Sequence, residues 1–279
     1  MIRIIADTTC GLPLPLLQTL GIDFLPQIIT FGDQSYRDDF EIDTPTFLSK
    51  LKAAEKLPGT AAPPPILYHP IYEKHIKNGD AMLVITPSAE VSGTYRSAKI
   101  AAEEFPEAEI QIIDSRTVAG GLGTLVLQAH KWAQAGMEME TLKAKLSDMA
   151  KREKLYFIVD TLEYLHRGGR IGKAESLIGG ILQIKPILTI DDGKVAPFDK
   201  VRTKKHAIDS IFKLTVEICQ NEHNPHLTIS HCGDEGAAKA LRRRFLEVLE
   251  VEDVPIYLVP PAIVVHGGPG ILEVSCFVE

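Results

Sequence analysis

Short, mostly apolar segments alternate with amphipathic stretches along the first half of the chain. Ile2–Ala6, Ala81–Thr86 and Ile110–Ile113 have the length and composition of buried strands. Strands of this kind that are separated by helices favour a mostly parallel sheet with helices packed on its faces. The hydrophobic periodicity predicts these helices between and after the strands: Thr94–Phe105, Gly123–Gln134 and Glu138–Arg152.

A second series of elements begins at Leu155–Val159. Ile187–Ile190 and Lys194–Phe198 flank Asp192-Gly193, a turn signal for a β-hairpin. A hairpin inside an α/β series predicts a mixed sheet in this half. The remaining predicted helices are Thr161–Arg167, Ala174–Leu182, Lys204–Gln220 and Glu235–Leu249, and the remaining strands are His226–Ser230, Pro255–Val259 and Ile271–Val278.

The two series predict an α/β protein of two domains. Residues 1–154 are expected to form an α/β/α domain around a parallel sheet, and residues 155–279 an α/β domain with a mixed sheet. The boundary is placed after the basic stretch Lys151-Arg152-Glu153-Lys154. The length of 279 residues accommodates two domains. Pro58–Pro65 contains four prolines and is expected to be extended and stiff.

Several polar side chains lie at or just beyond the carboxyl ends of the predicted parallel strands. They are Asp7, Thr86, Ser88, Ser92 and Asp114. Open α/β sheets bind ligands at this edge, where the strand order reverses. The sequence therefore predicts a binding site there.

Composition narrows the functional classes. The net charge of −7 argues against a general nucleic-acid binder, because phosphate contacts require a positive surface. Four scattered cysteines without a CxxC pair are typical of free thiols in a reducing compartment. The N-terminus does not have the pattern of a signal peptide, and no apolar run is long enough to span a bilayer. We therefore expect a cytoplasmic protein without stable membrane insertion.

Two glycine-rich stretches invite a nucleotide interpretation, and neither supports it. Gly168–Lys173 is one residue short of a P-loop, and Ala174 follows where a magnesium-binding Ser or Thr is required. Gly120–Gly123 lacks the third glycine of a dinucleotide fingerprint, since Val126 stands in its place. We expect no nucleotide cofactor.

A metal centre is not expected either. His223, His226 and His231 lack carboxylate or thiolate partners at tight ligand spacing. Scattered surface or core histidines are the favoured interpretation.

Two local motifs suit an anion. Ser92-Gly93-Thr94 lies between a strand and a helix, where unpaired backbone N–H groups and the helix dipole favour negative charge. Ser92 is also a plain N-cap candidate, and the two roles are compatible. His266-Gly267-Gly268-Pro269-Gly270 is either a tight turn with an incidental His or a turn that presents the His to an anion.

Taken in order along the chain, the motifs resemble the DegV family. The matching segments are Ile5–Thr9, Tyr36–Asp38, Pro58–Pro63, Ser92–Ala98, Asp160–Leu165 with Gly168–Ile171, Ile184–Leu188 and His266–Gly270. They are spread over nearly the whole chain, and their common order is more specific than any single motif.

The resemblance implies a non-enzymatic lipid carrier, the FakB-type component of bacterial fatty acid kinase. Such a protein binds one long-chain fatty acid in a buried pocket and presents its carboxylate to a separate ATP-binding kinase subunit for acyl-phosphate formation. By the family's pattern Thr60, Ser92 with Gly93, and His266 hold the carboxylate. Arg170 and Arg202 are implied to form a basic patch near the pocket mouth that faces the kinase or its phosphate.

Two segments depart from the family pattern. Thr60-Ala61-Ala62-Pro63 stands for Thr-Ser-Gln-Pro, and His266–Gly270 lacks the usual Thr after the His. The alternative interpretations are an acyl or phosphoester hydrolase using Ser92, His266 and either Asp7 or Asp114, and a regulatory or dihydroxyacetone-binding module. The hydrolase lacks a GxSxG nucleophile elbow.

Overall fold

The chain folds around two large sheets and one small sheet. A computed structural model describes residues 1–178, 184–222 and 224–278. The strands are β1 (Ile2–Asp7), β2 (Asp23–Leu25), β3 (Ile28–Phe31), β4 (Gln34–Arg37), β5 (Gly59–Ala61), β6 (Ala81–Thr86), β7 (Ile110–Asp114), β8 (Glu153–Ile158), β9 (Lys185–Asp191), β10 (Lys194–Val201), β11 (Thr228–His231), β12 (Ile256–Leu258) and β13 (Leu272–Phe277).

Helices connect the strands in both halves of the chain. They are α1 (Leu14–Leu20), α2 (Thr44–Ala53), α3 (His69–Lys77), α4 (Thr94–Glu103), α5 (Ala119–Gln134), α6 (Met139–Lys151), α7 (Glu163–Arg167), α8 (Lys204–Cys219), α9 (Glu235–Val248) and α10 (Pro261–Gly267). Single 3-10 turns occur at Thr8–Cys10, Pro65–Leu67 and Gly172–Leu177. Among the described helices, none is both long and apolar enough to cross a bilayer.

The first sheet is entirely parallel, with strand order β2-β1-β6-β7. Successive strand residues point to opposite faces, so Ile4 packs against α1, α5 and α6, whereas Ile5 packs against α3 and α4. Both faces are covered, as expected for a parallel sheet. The predicted α/β/α arrangement is confirmed.

The second sheet has the order β10-β9-β8-β13-β11-β12. Only β11 and β12 pair in parallel, and the other neighbours are antiparallel, which confirms the predicted mixed sheet. One face packs against α8 and α9. The other face is turned towards the amino-terminal half, where β11 and β13 contact α5.

A three-stranded antiparallel sheet, β4-β3-β5, was not predicted. Its strands are short, and β4 is mostly exposed and polar, so no apolar run marks them. Ile29 of β3 and Phe47 of α2 are fully buried and share one core with Leu165 and Val264. The small sheet and α2, although they belong to the amino-terminal half, therefore pack against elements of the carboxyl-terminal half. The expected boundary after residue 154 falls inside β8, which begins at Glu153.

Pro58–Pro65, which was expected to be extended, contains the strand β5 and ends at a 3-10 turn. Two other local predictions differ from the structure. The helix expected over Ala174–Leu182 is a 3-10 turn as far as Leu177, and residues 179–183 lie outside the described residues. His266 belongs to the last turn of α10 and not to a turn between elements; the glycines and Pro269 that suggested such a turn come directly after it.

The glycines of α5 allow its first turn to lie close to the mixed sheet. A Cβ at Gly120 would stand 2.8 Å from Ser230 Oγ, 2.9 Å from Glu273 Oε1 and 3.2 Å from Thr228 Cγ2. The motif that resembled a dinucleotide fingerprint is therefore a helix–sheet packing motif.

We expect Gly120→Ala to lower the free energy of unfolding by about 1–3 kcal/mol, because the added methyl overpacks this contact. Gly236 is the matched control, since a Cβ there meets nothing within 4 Å. Gly236→Ala should raise the free energy of unfolding by about 0.5 kcal/mol. Urea denaturation measures both, and equal effects of the two substitutions would contradict the packing role of Gly120.

Candidate functional site

A cavity of about 130 Å³, partly open to solvent, lies between the parallel-sheet half and the mixed sheet. Its walls are mostly apolar and include Val91, Val118, Leu155, Phe157, Leu165, Ile190, Val195, Ile263 and Ile271. The polar and charged side chains that line it are Thr9, Gln27, Thr60, Ser92, Arg170, His266 and Glu273. A cavity with apolar walls and a few convergent polar groups is the usual form of a small-molecule site.

Thr60 and His266 meet in this cavity although 206 positions separate them. Thr60 is carried by β5, and His266 lies in the last turn of α10. The distance between Thr60 Oγ1 and His266 Nε2 is 2.7 Å, so the two form a hydrogen bond. His266 Nδ1 is buried and has no hydrogen-bond partner among the described residues.

The His266 imidazole is neutral at physiological pH. Burial, and secondarily the nearby charge of Arg170, lowers the pKa of His266 to about 4. The carbonyl end of α7 approaches the ring closely, since a Cβ at Gly168 would collide with His266 Nδ1. Only a glycine at position 168 leaves room for the His266 ring. This requirement explains one glycine of the motif that resembled a P-loop.

Ser92 lies just before α4 and faces the same cavity. Its Oγ is 2.9 Å from Thr94 Oγ1 and accepts a 3.3 Å hydrogen bond from the Thr94 backbone N–H. The residue at the N-cap position is Gly93, so Ser92 stands one position before the expected cap. Gly93 also lines the cavity, which brings the backbone of the helix start to the ligand space.

A buried hydrogen-bond chain extends from Ser92 into the parallel sheet. Gln27 Nε2 donates to Thr94 Oγ1 at 2.8 Å and to Asp7 Oδ2 at 3.1 Å. Asp7 also accepts from the Thr9 backbone N–H at 2.7 Å and from the Thr9 hydroxyl. Burial raises the pKa of Asp7 to about 6, and these hydrogen bonds oppose that rise. The chain fixes the orientation of the hydroxyl groups around Ser92.

Arg170 carries positive charge into the cavity. Its Nε donates to the Val91 carbonyl at 3.1 Å and its Nη1 donates to the Gly168 carbonyl at 2.7 Å. Within the described part of the chain, no carboxylate lies within 4.0 Å of its guanidinium. A half-buried Arg without an acidic partner is suited to bind an anionic ligand.

Arg202 lies elsewhere. It is exposed and lines a surface cavity formed by residues that include Asp160, His166 and Pro186. Arg170 and Arg202 therefore line two different cavities, and the structure does not bring them together as one basic patch within the pocket.

The other polar residues at the strand ends form hydrogen bonds with the backbone around the cavity. The Ser88 hydroxyl donates to the Gly193 carbonyl at 2.8 Å, which joins the parallel-sheet half to the β9–β10 hairpin. Thr86 bonds to the Ile113 carbonyl, and Asp114 accepts from the Ala89 backbone. None of these three lines the cavity.

Two cavity residues were missed by sequence reasoning. Gln27 stands between two short strands without a motif, and Glu273 lies inside an apolar final strand. Glu273 alternates with Leu272 and Val274, a pattern that predicts an exposed polar face, so no sequence signal marked its burial.

The geometry does not favour a hydrolase. His266 Nε2 bonds to Thr60, and among the described residues no carboxylate bonds to Nδ1 to orient the ring. A catalytic Ser-His pair needs the His beside the Ser and an acidic group behind it.

The described residues contain no candidate metal centre. Among residues 1–178, 184–222 and 224–278, no three His, Cys, Asp or Glu side chains are grouped to hold an ion. His231 is buried and its pKa is lowered by that burial, whereas His223 lies outside the described residues.

The chain was compared with known families and structures. Residues 1–279 match the family described as "Uncharacterised protein, DegV family". A DegV domain-containing protein of Clostridium perfringens is 32% identical over 96% of this chain and 95% of its own length.

Solved structures give the same assignment. The fatty acid-binding DegV family protein of Thermus thermophilus is 30% identical, with a TM-score of 0.94 over 100% of this chain and 99% of that one. DegV of Bacillus subtilis, a fatty acid binding protein, is 31% identical with a TM-score of 0.90, and the match covers 99% of each chain. The fold, the whole-chain match and these relatives agree: the chain belongs to the DegV family.

Proposed function

We propose that this protein binds one long-chain fatty acid in the cavity between its sheets, with the carboxylate held by Thr60, Ser92, the backbone at Gly93 and His266. The observation that carries the proposal is Arg170, a cation without an acidic partner among the described residues, beside the Thr60–His266 pair in an otherwise apolar cavity. The fatty acid-binding relatives support it.

The energetics of such binding are favourable. Each methylene moved from water into an apolar wall contributes about 0.8 kcal/mol, before the losses of translational and conformational freedom are subtracted. A buried carboxylate must be paired or fully hydrogen-bonded. When His266 Nε2–H donates to Thr60, the Thr60 hydroxyl proton is free to donate to the ligand, as is the Ser92 hydroxyl.

Native mass spectrometry and lipid extraction of the purified protein test the proposal. We expect one long-chain fatty acid per chain, or stoichiometric uptake of added palmitate or oleate. Ser92→Ala should weaken retention by about 1.5–3 kcal/mol, because it removes a donor to a charged group. His266→Ala should also weaken it, because Thr60 loses the donor that leaves its hydroxyl proton free for the ligand. His206→Ala, a change on an exposed side chain of α8, is the matched control. Ligand-free protein that also ignores added fatty acid would overturn the proposal.

We further propose that a separate ATP-dependent kinase subunit phosphorylates the bound fatty acid in the cytoplasm. One carboxylate oxygen would attack the γ-phosphorus of ATP as the bond to ADP breaks, giving an acyl phosphate. Arg202 supports a docking role, since it is exposed and precedes Lys204-Lys205 on a chain of net charge −7. Neither glycine-rich segment forms a phosphate-binding loop. We therefore propose that the kinase subunit binds the ATP.

Arg202→Ala should therefore lower acyl-phosphate formation in a reconstituted reaction with a fatty acid kinase subunit, while the amount of bound fatty acid stays constant. The loss should shrink as salt rises, because salt screens the exposed charge of Arg202 in the wild-type protein over a Debye length of about 8 Å. Equal loss of lipid and of phosphorylation would assign Arg202 to lipid binding instead.

A further inference from the structure

The final strand presents an unexpected polar group to the cavity. In β13, Leu272, Val274 and Cys276 point towards α8 and α9 and belong to the core on that side of the sheet. Glu273 and Ser275 point to the opposite face, towards the amino-terminal half. Glu273 is 4% exposed and lines the cavity together with its cross-strand neighbour Phe157.

One half of the Glu273 carboxyl is anchored. Its Oε1 accepts a 3.0 Å hydrogen bond from the Gly120 N–H in the first turn of α5. Its Oε2 has no hydrogen-bond partner in the described part of the chain, and it is not among the side-chain atoms sealed from solvent. Oε2 is therefore free to bond to a group inside the cavity.

Glu273 is set apart from the proposed carboxylate site. Ile271 packs against Gly267, the neighbour of His266, where a Cβ would lie 2.5 Å from Ile271 Cδ1. Residue 273 is two positions further along the same backbone, which corresponds to about 7 Å in a strand. Leu155 lies beyond it, opposite Ser275. Ile271, Phe157 and Leu155 line the same cavity as Glu273, so apolar walls flank this carboxyl group.

The protonation state of Glu273 suits a hydrogen bond to a neutral group. Burial, with the nearby charge of Glu153, raises the pKa of Glu273 to about 8. Glu153 is half-buried, accepts a 2.9 Å hydrogen bond from Ser275 and does not line the cavity. At neutral pH Glu273 is mainly a carboxylic acid, which both donates and accepts.

A plain alkyl chain leaves Glu273 Oε2 unpaired once it has displaced water. Leaving a buried polar group unsatisfied costs about 1–3 kcal/mol. A hydroxyl group both donates and accepts, so it satisfies Oε2 whichever oxygen carries the proton. From this geometry, and resting on the proposed fatty acid binding, we propose that Glu273 makes the site selective for acyl chains that carry a hydroxyl group beyond the carboxylate end.

The test is a competition between octadecanoic acid and its monohydroxy positional isomers for delipidated protein, with the bound species read by native mass spectrometry. We expect at least one isomer with an inner hydroxyl to be preferred by about fivefold or more, the equivalent of one satisfied hydrogen bond. Glu273→Leu should abolish or reverse that preference. Glu273→Gln, which keeps both a donor and an acceptor, should retain it, and so should Glu153→Gln.

Each outcome decides the inference. Wild-type protein that binds octadecanoic acid as well as every hydroxy isomer would overturn the selectivity and leave the proposed function intact. An unchanged ratio in Glu273→Leu would also overturn it. Binding of neither class would overturn both proposals together.

Discussion

Between pH 5 and pH 9 we expect the wild-type protein to lose stability, and Glu273→Gln to remove a large part of that loss. The pKa of Glu273 is raised from its ordinary value of 4.5 to about 8 in the folded protein. The folded state therefore binds more protons than the unfolded state between these two values. Stability from this group is complete below the lower value and is lost as pH rises through about 8. The effect is on the order of 4 kcal/mol.

Other buried groups act in the same window or against it. Burial raises the pKa of Glu153 to about 7, with the same sign as Glu273. His266 has the opposite sign, because its lowered pKa makes the unfolded state bind the extra proton as pH falls from 6.5 towards about 4. Stability should therefore be greatest near mildly acidic pH.

Urea denaturation of wild type, Glu273→Gln and the exposed-site control Glu107→Gln, each from pH 5 to pH 9, measures the effect. The Gln side chain cannot ionise and still accepts from Gly120. Parallel pH profiles of wild type and Glu273→Gln would show that burial does not perturb this carboxyl.

Arg170→Met should lower the affinity for a long-chain fatty acid at least about 30-fold. Removal of one partner from a desolvated ion pair costs about 2–5 kcal/mol, much of it because the ligand carboxylate is left unpaired. The Met side chain preserves apolar volume, so the loss is attributed to charge. Arg202→Met is the matched control and should leave affinity unchanged, because Arg202 lines a different cavity.

Calorimetric titration of delipidated protein measures both variants. The pKa of His266 provides a second measurement, since the charge of Arg170 is one cause of its depression. Arg170→Met should raise that pKa, as followed by NMR of the imidazole. Unchanged fatty acid affinity in Arg170→Met would place this side chain outside the ligand contact.

Much of the fold follows from local sequence patterns. The strand over Ala81–Thr86 was predicted to the residue, because it is one apolar run buried on both faces. The helix α5 begins four residues earlier than predicted, at Ala119, since its glycines weaken the helical signal. The small third sheet was missed because its strands are three or four residues long and β4 is polar.

The site was less accessible to sequence reasoning. Thr60 and His266 contribute one hydrogen bond from opposite ends of the chain, and only the ordered family motifs linked them. Gln27 joins Asp7 to Thr94 through side-chain contacts that no spacing rule predicts. Arg170 and Arg202 look alike in sequence, and only the tertiary fold assigns them to different cavities.

The core shared by Ile29, Phe47, Leu165 and Val264 limits how this protein can be recombined. A chimaera that joins residues 1–154 of one relative to the following residues of another would pair two halves of a core drawn from different lineages. Close-packed interiors tolerate such mismatches poorly, because side chains from the two relatives would leave cavities or overlap where the halves meet. Exchange of specificity between relatives is therefore better attempted by grafting single cavity residues than by swapping halves.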